Sequence, residues 1–128
     1  MDQRTPTEIL VVDDDPAVLN ALKISLQLDG FEVSGFDSAE ALLAKQEFPA
    51  RGCIVVDYRM LGLNGIEMVD RLRTRGVHLP AILITTPTTA INSRAAAANI
   101  PIVEKPLINN ALVDKVRSLV EQNDDDAS

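Results

Sequence analysis

Four short and almost uninterrupted apolar runs set the frame for this chain: Ile9-Leu10-Val11-Val12, Ile54-Val55-Val56, Ala81-Ile82-Leu83-Ile84 and Ile100-Pro101-Ile102-Val103. A strand with one face in water alternates apolar and polar residues, whereas a run apolar at every position needs cover on both faces. A fifth segment, Phe31 to Phe36, alternates more and is expected nearer an edge of the same sheet. Segments with helical spacing separate the runs. Strands joined through helices must lie parallel, with right-handed crossovers and helices on both faces of the sheet.

The helical segments carry readable ends. Asp15 followed by Pro16 is an N-cap with proline at the first helical position, and Val18, Leu19, Leu22 and Leu26 then form an apolar stripe that stops before Gly30. Asp37, with Glu40 three residues on, predicts a capping box for a helix from Ala39 to Gln46. Gly65 precedes Ile66, Met68, Val69 and Leu72, and Leu107 is expected to begin a last helix bearing Leu112, Val116, Leu119 and Val120. Between them, Thr85-Thr86-Pro87-Thr88-Thr89 opens a helix poorly, so only a short one is expected near Ala90 to Ala98. The result is five β-α units, an α/β class with a doubly wound five-stranded parallel sheet. The leading strand order is the flavodoxin-like 2-1-3-4-5, whose ligand crevice lies at the carboxyl ends of the first and third strands.

A chain of 128 residues, 46% hydrophobic, suits one compact domain. We expect an N-terminal extension at 1–7, the domain at 8–121, and an acidic tail or the start of a linker at 122–128. No stretch approaches the roughly 20 apolar residues that cross a bilayer, and MDQRTPTEIL lacks the basic and apolar regions of a signal peptide, so a cytoplasmic location and no membrane partner are expected. The single cysteine, Cys53, opens an apolar run and reads as core filler. The formal net charge of −7 argues against direct nucleic-acid contact by the domain, because neutralising phosphates needs clustered Lys and Arg.

The polar residues fall at the strand ends: Asp13 and Asp14 after the first, Asp57 after the third, Thr85 after the fourth and Lys105 after the fifth. In the expected fold all converge on one rim. Three carboxylates brought together repel, so the cluster needs a cation, a lysine or raised pKa values to compensate. Oxygen donors without His or Cys point to a hard ion such as Mg²⁺. Phosphoryl transfer runs largely on positioning and charge neutralisation, which a metal, a lysine and a hydroxyl supply. Asp57 would be the nucleophile. His78, the only histidine, reads as a solvated loop residue, and Met60 and Met68 as packing residues.

The set VVDDD at 11–15, VVDYRM at 55–60, Gly65, LIT at 83–85 and EKP at 104–106 resembles the receiver domain of two-component response regulators, over about residues 8–121. That resemblance implies phosphorylation of Asp57 by the phosphohistidine of a histidine kinase or a histidine phosphotransfer protein, and a downstream effector that reads the change. It also implies Mg²⁺ held by the carboxylates of Asp14 and Asp57 and the backbone carbonyl of Arg59, with Asp13 acting through water. Thr85 would donate its hydroxyl to the phosphoryl group and Lys105 would pair with its charge. Such a protein is a self-phosphorylating and self-dephosphorylating switch and not a turnover enzyme.

Some positions depart from the family pattern. Ile102 stands where receivers usually carry an aromatic residue that swings inward with the threonine. The Thr85-to-Lys105 interval is about two residues short of the usual length, and Ala97-Ala98-Asn99-Ile100 replaces an Ala-Gly-Ala ending. Leu61 replaces a common proline, and Thr86 stands where a small residue is usual; with Pro87 it is expected to restrict access of water and small phosphodonors to Asp57. Two other functions compete with this one. A phosphohydrolase of the haloacid dehalogenase type needs a second Asp two residues after the nucleophile, where this chain has Arg59. A phosphorylation-independent pseudo-receiver would use its altered 86–103 region as a fixed binding surface.

Overall fold

A computed structural model of the chain describes residues 7–107 and 110–127, with side chains through position 121. Its elements run β1 (Glu8–Val12), α1 (Pro16–Leu28), β2 (Glu32–Phe36), α2 (Ala39–Leu43), β3 (Gly52–Asp57), α3 (Gly65–Thr74), β4 (Ala81–Thr85), α4 (Thr89–Ala97), β5 (Ile102–Glu104) and α5 (Ala111–Ala127). All four strand pairings are parallel and the order is β2-β1-β3-β4-β5. This is the expected doubly wound sheet, with the alternating segment β2 at one edge.

The continuity of the apolar runs has a direct structural reason. Successive residues of a strand point to opposite faces, and both faces are covered. Leu10, Val12, Ile54, Val56 and Leu83 pack with Leu42, Met68, Val69, Leu72, Ile91 and Ala95 from α2, α3 and α4. Ile9, Val11, Cys53, Val55, Ile82 and Ile84 pack on the other side with Leu22, Leu26, Leu112, Val116 and Val120 from α1 and α5. At roughly 1.5–3 kcal/mol for each large apolar side chain removed from water, these two layers are the main drive for folding.

The helix ends follow local chemistry. The Asp15 carboxylate accepts from the Ala17 and Val18 amides, as a cap should, with Pro16 next to it. Helix α3 begins at an Asn64–Glu67 capping box in which each side chain accepts the other residue's amide. Three helices close with the same pair of backbone bonds, and the residue after each cap, Gly30, Gly76 or Asn99, has positive φ. At α4 the Ile100 amide donates to the Ala95 carbonyl at 2.8 Å and Asn99 to Ala96 at 3.1 Å. Asn99, at φ 58°, does there what glycine does elsewhere.

Several boundaries differ from expectation. The cap of α2 is Ser38, whose hydroxyl accepts from the Ala41 amide, and not Asp37. The helix stops at Leu43 and does not reach Gln46, because the Arg75 guanidinium takes the Leu43 carbonyl at 2.7 Å and the Lys45 carbonyl at 3.1 Å. Strand β5 starts at Ile102 and not Ile100: the Ile100 amide is committed to α4 and Pro101 has no N–H to give. Leu107 packs against the α1/α5 side of the core outside any helix, and α5 begins at Ala111. The expected extension at 1–7 lies, apart from Thr7, outside the described residues, as do the side chains of the acidic run Asp124 to Asp126, along which the α5 backbone remains helical. No described helix is long and apolar enough to cross a membrane.

Candidate functional site

The carboxyl ends of β1, β3 and β4 meet on one rim. Asp13 follows the last residue of β1 and is 2% exposed, with its amide on the Phe36 carbonyl. Its Oδ1 accepts from the Asp15 amide at 2.8 Å, which fixes the carboxylate toward the rim. Asp14 is exposed, and its Oδ2 accepts from the Leu61 amide at 3.1 Å, a bond that ties the β1–α1 loop to the β3–α3 loop. Asp57 ends β3 and is 6% exposed. One carboxylate oxygen from each of Asp13, Asp14 and Asp57 lies within 4.8 Å of the others.

Gly65 belongs to this geometry although it carries no functional group. A Cβ there would lie 2.7 Å from the Asp57 carbonyl oxygen and 2.8 Å from a Leu83 methyl, so only glycine lets α3 start this close to Asp57. The Gly65 amide donates to the Tyr58 carbonyl, and the Tyr58 amide to the Ile84 carbonyl, which extends the ladder one step beyond Asp57.

Thr85 ends β4 at 2% exposure, and its hydroxyl donates to the Thr86 carbonyl at 3.3 Å. The Lys105 amide donates to the Thr85 carbonyl, so the β4–β5 ladder delivers both residues to the rim together. Lys105 Nζ stands 3.0 Å from Asp57 Oδ1. This is an ion pair without the angle of a hydrogen bond: the buried Oδ1 has charge compensation but no directed donor. The Lys105–Pro106 peptide is cis.

Burial pushes the Asp13 carboxyl above the ordinary aspartate range, and the charges of Asp57 and Asp14 push it the same way, against the Asp15 amide and Lys105. Among the described residues three carboxylates face one ammonium, so the cluster is short of positive charge. Its donors are all oxygen, and one of its oxygens is buried without a donor. That set fits a small hard divalent cation.

The remaining predicted residues fall as follows. Arg59 is exposed on the loop that carries Leu61. Ile102, at the start of β5, is half-buried against the α2–α4 side of the core, away from the carboxylates. Thr86 is exposed and, with Ala17, Lys105 and Pro106, forms the end of an apolar groove of about 690 Å³ between α1 and the segment leading into α5. His78 sits beside Leu79 and Pro80 at the opposite rim of the sheet. Cys53 is fully buried and burial pushes its thiol up to about 12, so it is not a thiolate at neutral pH. Met68 is fully buried, and Met60 packs on the same core. Sequence reasoning missed the two amides, of Asp15 and Leu61, that orient Asp13 and Asp14.

Comparison with known proteins gives a consistent picture. The family described as "Response regulator receiver domain" matches residues 9–117. The C4-dicarboxylate transport transcriptional regulatory protein DctD of Pseudomonas aeruginosa is 36% identical over 119 residues, covering 90% of this chain and 25% of that protein. The transcriptional regulatory protein FixJ of Azorhizobium caulinodans is 36% identical over 112 residues, covering 84% of this chain and 52% of that protein. The chain thus spans about a quarter to a half of the length of these relatives. Among solved structures, response regulator TrrA of Thermotoga maritima in complex with Mg²⁺-BeF superposes with a TM-score of 0.77 at 28% identity, covering 88% of this chain and 98% of that one.

Proposed function

Because the chain belongs to the response regulator receiver domain family of two-component signalling, we propose that it is a phosphorelay switch with Asp57 as its phosphoryl acceptor. The observation that carries this is the buried Asp57 carboxylate, with Lys105 Nζ at 3.0 Å and the carboxylates of Asp13 and Asp14 beside it. In the proposed reaction an Asp57 oxygen forms the new O–P bond while the N–P bond of a phosphohistidine breaks, and the departing imidazole takes up a proton. The donor is a histidine kinase or a histidine phosphotransfer protein.

Asp14, Asp57 and the Arg59 carbonyl would hold Mg²⁺, with Asp13 acting through water. When bound, the ion supplies positive charge to the transferring phosphoryl oxygens. Lys105 would exchange its partner, from Asp57 Oδ1 to a phosphoryl oxygen. The Thr85 hydroxyl, now on the Thr86 carbonyl, would turn to donate to another. Both moves change the mouth of the groove lined by Thr86, Lys105 and Pro106. A downstream effector protein or domain would read that change; the acceptor is a switch in the cytoplasm and not a turnover catalyst. Residues 8–121 form the unit that acts.

One observation favours a second reading. Ile102 is already packed against the core, so it offers no aromatic side chain to swing inward when Thr85 turns. A phosphorylation-independent binding module would need nothing more. Incubation with Mg²⁺ and acetyl phosphate separates the two readings: intact mass should show one phosphoryl adduct, absent from Asp57→Ala. An adduct that persists in that variant would remove Asp57 from the reaction, and no adduct from either acetyl phosphate or a phosphohistidine donor would leave the binding module.

A further inference from the structure

One rim of the sheet carries the carboxylates, and the opposite rim carries the opposite charge. From Arg71 to Val103 the chain has Arg71, Arg73, Arg75 and Arg94 and neither Asp nor Glu, although its net charge is −7. Part of this segment lines a cleft of about 620 Å³ where the end of α3, the α4–β5 turn and α5 meet. Arg73 from α3, His78 from the loop before β4, Asn99 from the turn and Lys115 from α5 line it, and among the described residues no Asp or Glu does. Basic residues beside helix ends have a simpler use, since the last carbonyls of a helix carry partial negative charge. Two arginines are used in that way: Arg73 Nη1 donates to the Ala98 carbonyl, and Arg75 to the Leu43 and Lys45 carbonyls. The use does not extend to His78 and Lys115. Lys115 is half-buried and lies early in α5, His78 lies in a loop, and among the described residues neither side chain has a hydrogen-bond or ion-pair partner.

We propose that this cleft binds a small organic phosphate, independently of the chemistry at Asp57. The bond to Ala98 engages one nitrogen of the Arg73 fork and holds the remainder in place. A phosphate dianion has enough acceptor oxygens to use that fork, the Lys115 ammonium, the Asn99 amide and a His78 ring N–H together, whereas the fork alone would serve a single carboxylate. Leu79 and Leu119 line the same cleft and would cover an apolar body attached to the phosphate. The cleft is of the size that small-molecule sites have.

The probe is phenyl phosphate, titrated into the full chain in chelator at constant ionic strength and followed by amide chemical shifts. Saturating shifts are expected at His78, Leu79, Asn99 and Lys115, with a dissociation constant on the order of 1 mM, and none at Asp13, Asp14 or Asp57. Their location in wild type needs no variant to read. Lys115→Gln should weaken binding about tenfold while Lys115→Arg retains it, with the urea midpoint of each showing that the fold is intact. Inorganic phosphate, which has nothing to lay on Leu79 and Leu119, should bind a few-fold more weakly than phenyl phosphate. Shifts that KCl reproduces, shifts that never saturate, or equal constants in wild type and Lys115→Gln would each mean an adventitious ion only and overturn the proposal. Inorganic phosphate bound as tightly as phenyl phosphate would overturn the organic ligand, and saturation at the carboxylate rim alone would overturn the cleft.

Discussion

Asp13 holds its proton more tightly in the folded protein than in the unfolded chain, because folding buries it and sets Asp57 and Asp14 against it. The stability this contributes is fully present below the unfolded value of 3.8 and is lost as pH rises through the higher folded value. At neutral pH a metal-free protein therefore carries the cost of a buried carboxyl whose proton affinity folding has raised. In chelator, Asp13→Asn should unfold at a higher urea concentration than wild type at pH 7, by on the order of 1 kcal/mol, and the gap should narrow as pH falls toward 4. An advantage that stays constant with pH would mean that the buried charge is not its source. Thr86 poses a separate question at the same scale. It is exposed beside Lys105 at the groove mouth, and if it screens Asp57, Thr86→Ala should speed both loading by acetyl phosphate and loss of the adduct by a few-fold, equivalent to about 1 kcal/mol or less in each barrier. Unchanged loading and adduct lifetime would end that idea.

Secondary structure carries its own test at the end of α4. Asn99 adopts φ 58°, a conformation easy for glycine, tolerable for asparagine and costly for a residue with an ordinary Cβ. Asn99→Ala should lower stability by about 1 kcal/mol and Asn99→Gly should match or exceed wild type, both read as urea midpoints at constant slope. The same turn explains why β5 was misplaced from sequence. Apolarity at Ile100 and Pro101 is indistinguishable from that of a strand, but the Ile100 amide belongs to the helix and Pro101 has none. Elements with a long stripe and a strong cap, such as α1, were legible because both signals are local. Helix α2 was not, since the group that ends it is Arg75, from the far end of α3, and its cap fell to Ser38 when Asp37 and Glu40 had the spacing of a box. The Asn64–Glu67 box has the same spacing and was missed, because Gly65 drew attention to the start of α3 and Asn64 did not.

At the scale of the whole molecule, sheet order and carboxylate placement are one fact. The doubly wound order sets β1 beside β3, so acids at the ends of two strands remote in sequence arrive within 4.8 Å. This much of the candidate site was legible because side-chain type marks it; the Asp15 and Leu61 amides were not, because every non-proline residue has one and only the folded loops say where it points. The fold brings together a charge excess that local structure does not relieve, and a divalent cation that binds only the folded arrangement must stabilise it by mass action. At ten times its dissociation constant Mg²⁺ should add about 1.4 kcal/mol, which for a domain of this size raises the melting temperature by roughly 4 to 7 °C. The increment should vanish in Asp14→Ala and Asp57→Ala, and should be absent when K⁺ at matched ionic strength replaces Mg²⁺. A rise that K⁺ reproduces would be general screening of a chain with net charge −7 and would leave the carboxylate cluster without a specific cation.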